Sequence, residues 1–320
     1  MLLLSAAFFM VFLIVSGALF LYRAPGGGST SAKASLFSEG GAVGVVELNG
    51  VIMDSKKTLN RLEQFEENDD IKAVVLRLNS PGGAVAPSQE IYQAVKAYKK
   101  PIIASMSSVA ASGAYYVACG AQKIYANPGT ITGSIGVIME FINLEKLYEW
   151  AKVQRYSIKT GVFKDAGAEY RDMTPQERAL LQAMVDDVLT QFKEAVVTGR
   201  KIPAAEVDAV ADGRIFSGSQ AKAAKLVDQL GTLQDAIAEA GKLGKLKGKP
   251  HVVYAEKKRG KLLSMLLDDH DSMDDESSSN FGGVGGSLGS SIAGLVKGAL
   301  PPRDAQGVTP GIYWLWNPAR

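Results

Sequence analysis

Hydrophobic positions along this chain follow three regimes. Residues 2–22 carry no charged side chain, and at 1.5 Å per residue about twenty helical residues cross a bilayer core. The run is longer than a signal-peptide h-region. It lacks a basic n-region and is not closed by a small-x-small cleavage site, so it reads as an uncleaved anchor in preference to a cleaved signal peptide. Arg23, the one nearby basic residue, is thin support for an orientation. From residue 42 short β-branched runs alternate with segments of helical spacing. Strands are predicted at 42–48 (AVGVVEL), 72–78 (KAVVLRL), 101–106 (PIIASM) and 123–126. Between them, Leu59, Leu62 and Phe65 mark a helix over 58–67, Ile91, Val95 and Tyr98 another over 85–99, and a small-residue helix runs from Ser112 to about Cys119. The alternation predicts an α/β fold with mostly parallel pairing and right-handed crossovers.

The longest helix is marked by its cap. Thr174-Pro175-Gln176-Glu177 has capping-box spacing with proline at the first helical position, and Gly199 is suited to the C-cap. Further helices are expected over 203–211, 218–227 and 232–241. At residue 268 the third regime begins, first acidic, then Gly/Ser-rich, and finally apolar up to Tyr313-Trp314-Leu315-Trp316. The organisation expected is an anchor at 1–23, a linker at 24–41, the main domain at 42–245 and its extension at 246–267. A solvated linker at 268–291 and an apolar tail at 292–320 follow. Such a tail docks on its own domain, a neighbouring subunit or the membrane surface.

Composition narrows the function. A chain of 320 residues, 47% hydrophobic, can bury a sizeable core, and a net charge of +2 gives no support for nucleic-acid binding. One cysteine, Cys119, excludes an intramolecular disulfide framework and a cysteine zinc cluster. No HExxH, CxxC, GxxxxGK[ST] or GxGxxG stands in a strand–turn–helix context, so metalloprotease, P-loop and dinucleotide readings lose their support, and no cofactor is expected. The acidic cluster Asp268, Asp269, Asp271, Asp274, Asp275 and Glu276 reads as solvated linker. Only two histidines occur, His251 and His270, both beyond the α/β segment, so a Ser-His-Asp triad needs the C-terminal segment folded back over the sheet.

Two segments suit an oxyanion. Asn79-Ser80-Pro81-Gly82-Gly83 follows a strand and precedes a helix, and its paired glycines let N–H groups face open space. In Ser107–Tyr116 a strand feeds a helix of small residues. There a Ser112 hydroxyl lies at the helix start, and the Gly113 N–H can meet a developing oxyanion alongside that of Gly83. Singly, each reads first as close packing or an ordinary turn. Together they lie at successive strand ends, where ligands bind in such sheets. With histidine scarce, a desolvated lysine is the practical base. Lys123, Lys146, Lys152, Lys159 and Lys164 are all candidates, and composition does not choose among them. Lys164 is flanked by glycines and follows Phe163.

Asn79–Gly83, Ser107–Tyr116, Gly133–Val137, Lys164–Gly167 and Gly213–Gly231, in this order over about 42–245, resemble the successive motifs of the signal peptide peptidase A family in its short form. The resemblance implies a Clp protease/crotonase-like fold of repeated β-β-α units with an N-terminal transmembrane helix. It implies Ser112 as nucleophile, Lys164 as base and the Gly83 and Gly113 amides as oxyanion hole. The implied partners are hydrophobic peptides, foremost remnant signal peptides, the membrane, and further copies of the chain. Those copies form a bowl-shaped homo-oligomeric ring, octameric by preference, in which the lysine reaches the serine across a subunit boundary. The implied location is the cell membrane with the protease domain outside the cytoplasm. One departure is Ala114, where the family has a second glycine, a change expected to narrow the substrate cleft. Readings kept open are a Ser/Lys protease of other membrane proteins, a crotonase-like acyl-CoA enzyme, and a scaffold recruiting partners through residues 292–320.

Overall fold

A computed structural model of the chain describes residues 41–255 and 313–315. The expected anchor, the acidic linker and His270 lie outside the described residues, and among those described no helix is long and apolar enough to cross a membrane. In chain order, β1 (Ala42–Asn49) leads through α1 (Lys56–Glu67) to β2 (Ile71–Ser80). A short β3 (Gly82–Ala84) opens α2 (Val85–Lys96), and β4 (Ile102–Ala111) runs into α3 (Gly113–Ala118). Then come β5 (Lys123–Ala126), β6 (Ile131–Gly133), α4 (Glu145–Trp150) and the long α5 (Pro175–Arg200). β7 (Ile215–Ser217), α6 (Gly218–Ala223), β8 (Gln229–Leu230), α7 (Leu233–Leu243), β9 (His251–Tyr254) and β10 (Tyr313–Leu315) complete the order.

Eight strands form the main sheet, in the order β7-β6-β4-β2-β1-β9, with β5 also paired to β4 and β8 to β5. Every pair in it is parallel except β6 with β7. The β-branched runs fill both faces. Val43, Val45, Ala73, Val75 and Ile103 pack with Ala236, Ile237 and Ala240 of α7. On the other face a Cβ at Gly44 would lie 2.5 Å from the Phe65 ring, so α1 sits directly on the strand backbone. The Thr174–Glu177 capping box forms as predicted, with proline in the first turn of α5.

Four differences from the sequence reading have physical causes. β4 continues five residues past Met106, because Val109, Ala110 and Ala111 pair with Ile131, Thr132 and Gly133. α5 runs through Gly199 and ends at Lys201 in the left-handed region (φ 52°). Gly199 is instead where the helix meets Cys119: a Cβ there would stand 2.1 Å from the Cys119 carbonyl oxygen. The helix expected over 203–211 is a single turn at Val207–Ala209, and that over 218–227 stops at Ala223. Finally, the tail forms a strand, β10, antiparallel to β3 with Trp314 opposite Gly83.

Candidate active site

Ser112 occupies the step between β4 and α3. Its backbone lies at φ 53°, ψ −121°, a conformation rare for a residue with a side chain and characteristic of a serine held at a sharp strand-to-helix turn. The strain is held from both sides. The Ser112 N–H donates to the Gly133 carbonyl at 2.8 Å, and its own carbonyl accepts from the Tyr116 N–H at 2.9 Å. Beneath it, the Thr132 hydroxyl donates to the Ala110 carbonyl at 2.7 Å. Ser112 is 1% exposed, and Gly113 begins the first turn of α3, where amides have no acceptor within their own helix. Ala114 is fully buried, so its methyl packs inside the fold.

β3 stands beside this turn. The Ile52 N–H donates to the Gly82 carbonyl at 2.8 Å, and the Ile52 carbonyl accepts from the Ala84 N–H at 2.7 Å. Successive backbone groups of an extended strand alternate in direction, so Gly83 turns its own N–H and carbonyl to the opposite edge. That edge is the one β10 lies along. The reason for glycine also differs from the open space expected of it. A Cβ at Gly83 would lie 2.1 Å from the Ile52 carbonyl oxygen, so glycine is required by the close approach of the neighbouring chain.

Lys164 is exposed, in the stretch between α4 and α5, which has no helix or strand of its own. Among the described residues no hydrogen bond or ion pair joins it to Ser112. The protomer sets the Ser112–Gly113 turn beside the strand that holds Gly83, while Lys164 makes no bond to Ser112. The segment around it is apolar as well as exposed: Trp150 (80%), Tyr156 (81%) and Ile158 (98%) face outward. His251 is no substitute base. It pairs with Ala42 at the starting end of β1, whereas Ser112 follows the finishing end of β4, with β2 and β1 between them. Nor is Cys119 a rival nucleophile, because burial pushes its thiol up to about 12.

Residues 94–247 match Peptidase family S49, and residues 45–130 match Clp protease. A candidate protease of Synechocystis sp., slr0021, is 43% identical over 205 residues, which cover 63% of this chain and 74% of that protein. The chain belongs to peptidase family S49, the signal peptide peptidase A family. A candidate signal peptide peptidase SppA of Enterococcus faecium is another S49 relative, 33% identical over 237 residues, covering 69% of each chain. The chloroplastic serine protease SPPA of Arabidopsis thaliana is 33% identical over 215 residues, 65% of this chain and 32% of that longer one.

The two matched stretches of this S49 chain overlap over 94–130, which holds β4, Ser112 and α3. Reading the residues missed two groups that hold the site in shape. One is Thr132 with Gly133 (φ 78°), of which only Gly133 was visible beforehand, as the first residue of the Gly133–Val137 motif. The other is Arg171, whose guanidinium joins Asp165, the neighbour of Lys164, to Glu177 at the start of α5. Nothing in its local sequence distinguishes that arginine from ordinary surface charge.

Proposed function

We propose that this S49 peptidase is a serine endopeptidase with a Ser112/Lys164 dyad, acting at the membrane on hydrophobic peptides, foremost the remnants of cleaved signal peptides. One observation carries the reading: a strained serine at a strand-to-helix turn lies next to a glycine strand whose outer edge pairs with an antiparallel strand, β10. An extended peptide bound in the same way makes main-chain hydrogen bonds, which give affinity without regard to sequence. Its scissile carbonyl then lies beside the Ser112 hydroxyl.

In the chemistry we assign, neutral Lys164 takes the proton of the Ser112 hydroxyl as its oxygen bonds to the carbonyl carbon. The Gly83 and Gly113 amides hold the oxyanion. Lysinium returns the proton to the leaving amine as the C–N bond breaks, and water then hydrolyses the ester. A lysine serves as base only when water is kept from it, and Lys164 is exposed in the single protomer. The apolar surface around it supports cover by a second copy, and hence a ring, octameric in our reading, whose sites form at subunit boundaries. Residues 1–23 supply the anchor and place the domain outside the cytoplasm.

Digestion of a synthetic signal peptide by the detergent-solubilised chain tests this. Ser112→Ala and Lys164→Ala should each lower kcat by about a thousandfold or more, and a fluorophosphonate probe should label wild type at Ser112. Full activity in Ser112→Ala would end the protease assignment, and full activity in Lys164→Ala would reassign the base. Coenzyme A binding without probe labelling would favour the acyl-CoA alternative.

A further inference from the structure

A base carried on a segment without regular structure has to be held to within about 0.5 Å of its working position. Lys164 is such a residue, and the side chain that follows it, Asp165, accepts from four other side chains. Asp165 accepts from Arg171 Nη2 at 2.8 Å and Nε at 3.3 Å, from the Tyr170 hydroxyl at 3.1 Å, and from Lys159. Arg171 Nη2 also donates to the Asp165 carbonyl at 3.1 Å. The other side of the same guanidinium reaches α5: Nη1 donates to Glu177 at 2.9 Å and Nη2 to its second oxygen at 2.5 Å. Glu177 is 2% exposed and closes the capping box with the Thr174 N–H at 2.8 Å, so it is fixed to a 26-residue helix.

We propose that Arg171 is a positioning residue for the Lys164 base. It clamps the Lys164–Asp165 turn onto the start of α5 and pairs with the carboxylate of the residue that follows the base. The proposal rests on the reading of Lys164 as base. All three guanidinium nitrogens are engaged across two carboxylates and the Asp165 and Asp172 carbonyls, a planar fork that an ammonium cannot reproduce. The groups facing Asp165 are Lys159, Tyr170, Arg171 and, at 3.4 Å, the Ser157 hydroxyl, with Glu177 beyond the guanidinium. Arg171 first, then Lys159, holds the Asp165 carboxyl well below the usual carboxylate range. The pairing is part-buried, with side-chain exposures of 12% at Asp165, 25% at Arg171 and 2% at Glu177. What it governs is where the next side chain stands.

The test is the pH dependence of kcat and KM on a peptide substrate, for the full chain, in Arg171→Ala, Arg171→Lys, Asp165→Asn and Arg171→Ala/Asp165→Asn. In Arg171→Ala, kcat should fall about 10- to 100-fold, as a displacement of about 1 Å does, with KM within about twofold and the ascending limb moved to higher pH. Arg171→Lys should not restore kcat. Adding Asp165→Asn should return the limb towards the wild-type position while kcat stays low. An unchanged thermal midpoint and assembly size identify a folded variant, and Arg171→Gln is judged by the same criteria if Arg171→Ala does not fold. Wild-type kcat and limb in Arg171→Ala, or a change in KM alone, beside an inactive Lys164→Ala, would overturn the clamp and leave the dyad standing. Full activity in Lys164→Ala is the separate outcome that removes the base itself.

Discussion

Ser112 sits in a backbone conformation that costs on the order of 1–3 kcal/mol, and it persists because Gly133 and Tyr116 hold both of its peptide groups. Its place at the start of a small-residue helix was legible in the sequence, whereas the run of β4 right up to it was not, because that stretch is set by pairing with Ile131–Gly133. The choice among five lysines was not legible, because a base is defined by what desolvates it and the protomer does not supply that cover. Glycine was easier to notice than to explain. Gly83 and Gly199 were read as an open loop and a helix cap, yet each admits a neighbouring carbonyl oxygen that a Cβ would strike at 2.1 Å. Gly199→Ala therefore has to push α5 away from Cys119. It should destabilise the fold by about 1–3 kcal/mol in denaturant titration, and a change within error would show that this contact is not tight.

Elements with their own periodicity or caps were the readable ones: β1, β2, α1, α2 and the capped start of α5. The short strands β3, β6 and β7 have three residues each, too few for any period, and arise only from pairing with distant segments. At the head of α5, the Arg171 guanidinium first and then the Thr174 N–H hold the Glu177 carboxyl at about 2, down from an ordinary 4.5. A depressed carboxyl contributes stability that is fully present above about pH 4.5 and is lost as pH falls towards 2. Thermal midpoints should therefore decline over that window, and Glu177→Gln should flatten the decline. An equal slope in both proteins would place the acid sensitivity elsewhere. The tail strand makes a different prediction. β10 occupies the edge that an extended peptide would use, so it competes as a tethered ligand. Removing residues 313–320 should lower KM for a peptide by about two- to tenfold with kcat retained, whereas an unchanged KM would mean the strand does not obstruct substrate.

For the molecule as a whole, the α/β sheet brings the proposed nucleophile Ser112 and the proposed oxyanion donors Gly83 and Gly113 to one end and leaves the proposed base on an exposed apolar segment. On the proposed reading this protomer needs a complement, and a second copy that covered the exposed Trp150, Tyr156 and Ile158 would bring a lysine to each serine. The most direct measurement is complementation. Ser112→Ala and Lys164→Ala chains, each inactive alone, are dissociated, mixed in equal amounts and reassembled. If the dyad forms across a boundary, a quarter of boundaries pair an intact serine with an intact lysine, and peptidase activity should recover to about a quarter of wild type. A reassembled mixture as inactive as its two parents would contradict the account.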